Sequence, residues 1–258
     1  MINVVQLDRV DYATALNLQR TLVDLRKAGQ ITDTLLLLEH PPVITLGRNA
    51  KRANLLVSDD QLAHSGVEIF ECDRGGDVTY HGPGQLVGYP IFDLRGFTPR
   101  IGAVDFVRKL EEVLIRTCAD FGIATHRVRG CTGVWTLRYE AKVAAIGVHI
   151  SRGVTSHGFA LNISTKLDNF KLIIPCGIGD KPVTSMDLAL GRAYPGIAVT
   201  PLAIKEVSQS VARNLGRVFN QQILWVETLD ALLGRALDIP AKPPDNLRQL
   251  HEDETFWA

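Results

Sequence analysis

Arg74-Gly-Gly-Asp-Val-Thr-Tyr-His-Gly-Pro-Gly-Gln85 constrains this chain more than any other stretch. Four glycines and a proline in twelve residues leave a backbone that a ligand can approach closely, with an Arg, an Asp, a Thr, a Tyr and a His alongside. Strand formers flank it, Val67-Glu-Ile-Phe-Glu-Cys72 before and Leu86-Val-Gly-Tyr-Pro-Ile-Phe92 after, so the segment is expected as a loop fixed at the end of a sheet. A long hairpin turn with incidental polar residues is the plainer alternative.

The flanking pattern supplies the body that would hold such a loop. Ala15, Leu18, Leu22 and Leu25 recur at helical spacing between Asp11, an N-cap, and Gly29, a C′ residue. Thr34 to His40 reads as a short apolar strand stopped by Pro41-Pro42, with Val43 to Gly47 as a second strand meeting it there. Lys51 to Gly66 reads as a polar connection with one helical turn. Val107, Leu110, Leu114, Cys118 and Phe121 share one face of a helix over residues 103–121. Short β-prone pieces at 126–129, 133–136, 142–149 and 158–162 then suggest a meander. Leu172 to Gly177 reads as a buried run ending in a turn, and Thr200-Pro201 as the start of a helix carrying Ile204, Val207, Val211, Leu215 and Phe219.

With 258 residues, 46% of them hydrophobic, this is enough for one core. The expected fold class is α/β (α+β), a single compact domain with a mixed sheet and packed helices over residues 1–237. Residues 238–258 are expected as an extended polar C-terminal tail.

Charge and cysteine usage narrow the function. The 28 basic and 28 acidic residues cancel, which argues against a chain whose main partner is a nucleic-acid backbone or an anionic membrane. No apolar run nears the roughly 18 to 20 residues of a span, and the first residues lack a basic segment before an apolar one. A cytoplasmic protein is expected. Cys72, Cys118, Cys131 and Cys176 form no C-x-x-C pair and read as free thiols. Cys118 and Cys72 fit buried positions on a helix and a strand, and Cys131 is less clear.

Cys176 differs, because Pro175 precedes it and Gly177-Ile-Gly179 follows. Such a turn can expose a sulfur together with backbone N–H groups, the pairing that acyl transfer needs. On the residues alone, catalytic and structural readings both stay open. An unperturbed thiol, pKa about 8.5, is mostly protonated at neutral pH, so a catalytic one wants a cation or base nearby. Lys142 opens the small apolar run Val143-Ala-Ala-Ile-Gly147. Either its head reaches a cleft, or it is a surface lysine snorkelling at a strand start. His81, His149 and His157 lie in motif-dense stretches, where they could orient a loop or assist proton transfer. No His or Cys spacing suggests a metal.

Five blocks in order, Arg74 to Gln85, Lys142 to Gly147, His157-Gly-Phe-Ala-Leu-Asn162, Ile174-Pro-Cys-Gly-Ile178 and Val183-Thr-Ser185, resemble the lipoyl(octanoyl) transferases of lipoate biosynthesis. The resemblance covers about residues 30 to 220 and leaves the tail out. It implies a fold like the catalytic domain of biotin and lipoate protein ligases. It also implies transfer of an octanoyl group from octanoyl-acyl carrier protein to a lysine of lipoyl domains, those of 2-oxoacid dehydrogenase complexes and of the glycine-cleavage H protein. No ATP, cofactor or metal is implied. By residue match, Cys176 would be the acyl-thioester nucleophile, and Lys142 would favour its thiolate and handle protons. The substrate-contacting positions would be Arg74, Gly75, Gly76, Asp77, Val78, Thr79, Tyr80, His81, Ala145, Ile146, Gly147, Gly158, Phe159 and Ala160. Small residues there leave room for a slim acyl chain, whose burial at about 0.8 kcal/mol per methylene gives on the order of 5 kcal/mol. Between Thr125 and Arg152, the basic residues Arg127, Arg129, Arg138, Lys142 and Arg152 face only Glu140, a set that reads either as a patch for an acidic carrier or as solvated strand ends.

Overall fold

The structure is a computed structural model and describes residues 1–58, 61, 65–177, 179, 181–194 and 200–234. The proposed tail at 238–258 and Ile178 therefore lie outside the described residues.

In chain order the strands are β1 (Ile2–Arg9), β2 (Asp33–Glu39), β3 (Val43–Leu46), β4 (Glu68–Glu71), β5 (Val78–His81), β6 (Gln85–Ile91), β7 (Thr125–Val128), β8 (Cys131–Thr136), β9 (Lys142–Ser151), β10 (Val154–Asn162) and β11 (Ile223–Val226). The helices are α1 (Tyr12–Lys27), α2 (Ala103–Asp120), α3 (Met186–Ala193), α4 (Ile204–Phe219) and α5 (Leu229–Leu233). Eight strands form one sheet in the order β11-β1-β2-β6-β10-β9-β8-β7, and β4-β3-β5 form a second. The large sheet is mixed, parallel at β11, β1 and β2 and antiparallel from β2 to β7. The expected α/β fold with a meander at β7–β10 is what the chain adopts.

Leu35 to Leu38 explain how this sheet is sandwiched. Successive strand side chains point to opposite faces, and all four are buried, so both faces must be covered. Leu35 and Leu37 pack with Leu110 and Leu114 of α2 and Val211 and Leu215 of α4. Leu36 and Leu38 pack with Ala15, Leu18 and Leu22 of α1. That helix begins where Asp11 accepts a hydrogen bond from the Thr14 amide at 2.8 Å. It ends in a Schellman turn, with Gln30 N donating to Leu25 O at 2.9 Å and Gly29 at φ 72°.

Four local expectations change. Val43 to Leu46 does not pair with β2; after Pro41-Pro42 it starts the second sheet. The loop at residues 74–85 contains a strand, β5, antiparallel to β3. Leu172 to Gly177 is two 3₁₀ turns (Leu167–Leu172 and Pro175–Gly177) joined through a single bridge from Ile173 to Leu55, not a strand. The last long helix starts at Ile204, capped by Ala203 without a side-chain bond, beyond the Thr200-Pro201 signal. Among the described residues no helix is long and apolar enough to cross a membrane.

Candidate active site

Between the large sheet and β5 lies a narrow slot of about 50 Å³, room for roughly three to five waters. Its floor is Ala145 and Gly147 of β9 and Gly158 and Ala160 of β10. These residues pair directly, Ala145 with Ala160 and Gly147 with Gly158, so no large side chain stands over the strands. Gly147 also lets the Arg74 loop approach, because a Cβ there would lie 2.6 Å from Gly75 O. The Gly75 amide ties that loop to the sheet by donating to Val148 O at 3.0 Å.

The β5 alternation sorts the predicted binding residues. Thr79 and His81 face the slot, whereas Val78 and Tyr80 turn away into the cluster with Ile44, Phe170 and Ile173. The Tyr80 hydroxyl accepts a hydrogen bond from Asn169 at 2.9 Å. Val78 and Tyr80 thus build the small sheet's own core, and the other predicted contacts, Arg74 to Asp77, Thr79, His81, Ala145 to Gly147 and Gly158 to Ala160, line the slot.

Arg74 is only 8% exposed. Its guanidinium donates to Thr45 O at 2.7 Å, to Thr45 Oγ1 at 2.9 and 3.1 Å, and to Gly75 O at 3.2 Å. Among the described residues no carboxylate pairs with it, so carbonyl and hydroxyl dipoles alone offset its charge. The neighbouring histidines are neutral for traceable reasons. His40 Nδ1 lies 2.7 Å from Val10 O, and a carbonyl only accepts, so Nδ1 carries the proton and Nε2 accepts from Tyr89 Oη at 2.7 Å. Burial pushes its pKa down to about 4. His81 donates from Nδ1 to Gln85 Oε1 at 2.7 Å, and Gln85 in turn donates to Asn162 at 2.9 Å. Burial holds His81 well below the usual histidine range. Both its ring nitrogens are occupied, the second by Thr45 Oγ1 at 3.3 Å, which makes it scaffolding.

His157 is different. Its Nε2 donates to Asp73 Oδ1 at 2.7 Å, and that hydrogen bond holds the Asp73 carboxyl down at about 2. Its Nδ1 is buried without a partner among the described residues, and burial lowers the ring's pKa.

The two residues singled out for chemistry line one small chamber at the slot's end. Cys176 and Lys142 share it with Thr79, Gln85, Ala145, Ala160 and Val183, and Cys176 also lines the slot proper. Cys176 sits at φ 58°, ψ 19°, the left-handed region that costs a residue with a side chain about 1–2 kcal/mol. The surroundings hold it there: Ile174 N donates to Asn54 O at 2.8 Å and Gly177 N to Ile174 O at 3.1 Å. Asp77 braces the same turn, accepting from the Asn54 side chain and from Lys51 N at 3.1 Å.

Lys142 is not a snorkelling surface residue. It is 5% exposed, its ammonium 4.8 Å from the Trp135 ring centroid, with its backbone clamped by Pro182 O at 2.8 Å and Thr184 N at 2.9 Å. Cys118, in contrast, is sealed in the core, its thiol pushed up to about 12 by burial. Cys72 follows β4 and donates to Leu46 O at 3.4 Å, and Cys131 opens β8. Tyr12, Val87 and Tyr89 also line the slot; their helix and strand positions carry no local sign of it.

Comparison with known proteins gives the family and the fold. Residues 11–216 match the family described as the lipoyl protein ligase A/B catalytic domain. A protein of Koribacter versatilis named octanoyltransferase is 61% identical over 98% of each chain. Another of that name, from Acidobacterium capsulatum, is 58% identical over 90% of this chain and 96% of its own. In fold, a putative lipoate protein ligase from T. acidophilum with bound lipoic acid superposes with a TM-score of 0.65 at 13% identity, over 89% of this chain and 90% of its own. A lipoate-protein ligase A bound with ATP does so equally well, with a TM-score of 0.65 at 13% identity over 90% and 91%. The chain belongs to the lipoyl protein ligase A/B catalytic-domain family, among its octanoyltransferase members.

Proposed function

We propose that the protein moves an octanoyl group from octanoyl-acyl carrier protein to a lysine of lipoyl domains, through a thioester on Cys176 and without ATP. The acceptors on this reading are lipoyl domains of 2-oxoacid dehydrogenase complexes and the glycine-cleavage H protein. The observation that carries it is the shared chamber: Cys176 on its left-handed turn and the buried Lys142 both line the small cavity where the glycine- and alanine-floored slot ends.

The steps balance with these two residues alone. Cys176 thiolate attacks the donor's carbonyl carbon, the bond to the carrier's sulfur breaks, and that sulfur takes a proton from the Lys142 ammonium. The acceptor's amine then attacks the Cys176 thioester, its proton passes to the Lys142 amine, and thiolate and ammonium are restored. The slot would hold the chain. The Trp135 ring, 4.8 Å from Lys142 Nζ, would keep that nitrogen in place beside the chamber.

The test is intact-mass measurement after mixing the protein with octanoyl-acyl carrier protein in the absence of ATP. One octanoyl group should appear on the enzyme and pass to an added lipoyl domain. A protein that transfers only when ATP is supplied, or that binds without a covalent adduct, ends this reading.

A further inference from the structure

The turn between β8 and β9 carries a surface that the slot chemistry does not use. Tyr139 stands 46% exposed with a guanidinium on each flank, Arg138 Cζ 5.5 Å and Arg192 Cζ 5.3 Å from its ring centroid. Arg192 comes from α3, one helical turn after Leu188, which is itself exposed. Leu137, in the same turn as Tyr139, is exposed as well.

Among the described residues neither Arg138 nor Arg192 has a carboxylate at ion-pair distance, which sets them apart from Arg127 and Lys181. Arg127 is engaged by Glu111 at 3.0 Å and Glu112 at 2.9 Å. Lys181 is engaged by Glu140 at 2.6 Å. Arg152 lies in the hairpin turn beyond the far end of β9 from Lys142. The basic set between Thr125 and Arg152 therefore does not act as one patch. Arg129, exposed in the turn at the other end of β8, is also without an ion pair; what distinguishes Arg138 and Arg192 is the exposed tyrosine ring they share, and Tyr and Arg are the residue types enriched at binding hot spots.

This surface adjoins the chemistry. The Trp135 ring carries Lys142 on one contact, at 4.8 Å, and Lys181 on another, at 5.8 Å. The segment leading into α3 bridges Lys142 directly at Val183.

We propose that Tyr139, Arg138 and Arg192 form the docking surface for the acidic carrier protein that presents the acyl thioester to Cys176. The proposal rests on the function proposed above and names where its donor sits. With a formal net charge of zero, the chain as a whole offers an acidic carrier no attraction, so steering must come from open local cations. Arg138 and Arg192 are carried by the turn that leads into Lys142 and by the helix that follows Val183, which bridges Lys142.

The test follows Cys176 acylation from two donors, octanoyl-acyl carrier protein and octanoyl-pantetheine, in wild type, in R138E/R192E and in Tyr139→Ser. With the carrier-bound donor, kcat/KM of the double variant should fall at least about tenfold through KM, and its dependence on salt should flatten. With octanoyl-pantetheine all three proteins should react at the same rate. Equal loss with both donors, or no loss with either, overturns the docking surface. So does a slowing confined to transfer from pre-acylated enzyme to a lipoyl domain, which would assign the surface to the acceptor. If wild type takes octanoyl from neither donor, the proposed function fails, and the docking surface with it.

Discussion

On one face of the large sheet Phe92, Phe106 and Phe219 meet edge to face, their centroids 5.5–6.0 Å apart, and Cys118 is sealed within the same cluster. On the other face Ala145, Gly147, Gly158 and Ala160 stop short of their neighbours, and Cys176 waits on a left-handed turn at the end of the gap. Both faces are built from the same strands, β9 and β10 among them. Burial pushes the Cys118 thiol up to about 12, so at neutral pH it holds its proton and behaves as a small apolar side chain. Packing, rather than residue type, separates a thiol sealed in the core from one that opens onto the slot.

The largest effect should therefore fall on the two thiols. Cys176→Ala should abolish the octanoyl adduct in the mass spectrum, and Cys118→Ala should leave it intact. An adduct that survives the first substitution would place the nucleophile elsewhere and dissolve the contrast. Next in size is Lys142→Ala. Removing a proton-handling group costs roughly 10²- to 10⁴-fold, read as single-turnover acylation, while the thermal midpoint stays within a few degrees. Normal turnover in that variant would strip Lys142 of its role.

Much of this arrangement could be read from the chain before any coordinates, because its signals are local. The α1 caps, the α2 face and the β7–β10 meander each follow from local spacing, and part of the glycine-rich block lines the slot. What escaped depends on partners distant in sequence. That Val78 and Tyr80 turn from the slot while Thr79 and His81 face it follows from pairing with β3, hidden in a segment whose glycines suggested a loop. Arg127 belongs to the set that reads either as a carrier patch or as solvated strand ends, and its partner Glu111, sixteen positions earlier, lies outside that set. Pro41-Pro42 does end β2, but nothing nearby says that the next strand joins another sheet.

The gap can be filled on one face and opened on the other. Ala160→Leu places about three extra carbons over the slot floor. At about 0.8 kcal/mol per displaced methylene this should lower kcat/KM for octanoyl transfer by on the order of 50- to 100-fold and spare a butanoyl donor. The mirror experiment is Leu114→Ala in the packed face, which should cost about 3 kcal/mol of stability by denaturant unfolding without changing chain-length preference. If both substitutions shift chain preference alike, the slot is not the acyl site.

The smallest effect concerns acid. His40 is buried against Tyr89 on the slot face, and burial sets its folded pKa at about 4 against an ordinary 6.5. A folded pKa below the unfolded one means that the unfolded chain binds the proton more readily. The contribution is therefore whole above pH 6.5 and drains away as pH falls towards 4. Between pH 7 and 5 this one ring should cost the fold about 2 kcal/mol, and His157, also lowered by burial, acts in the same direction. The neutral substitution His40→Gln should flatten the decline in unfolding free energy over that window, even if it lowers stability at pH 7. An unchanged pH slope would mean that the slot face meets acid no differently from the phenylalanine-packed one.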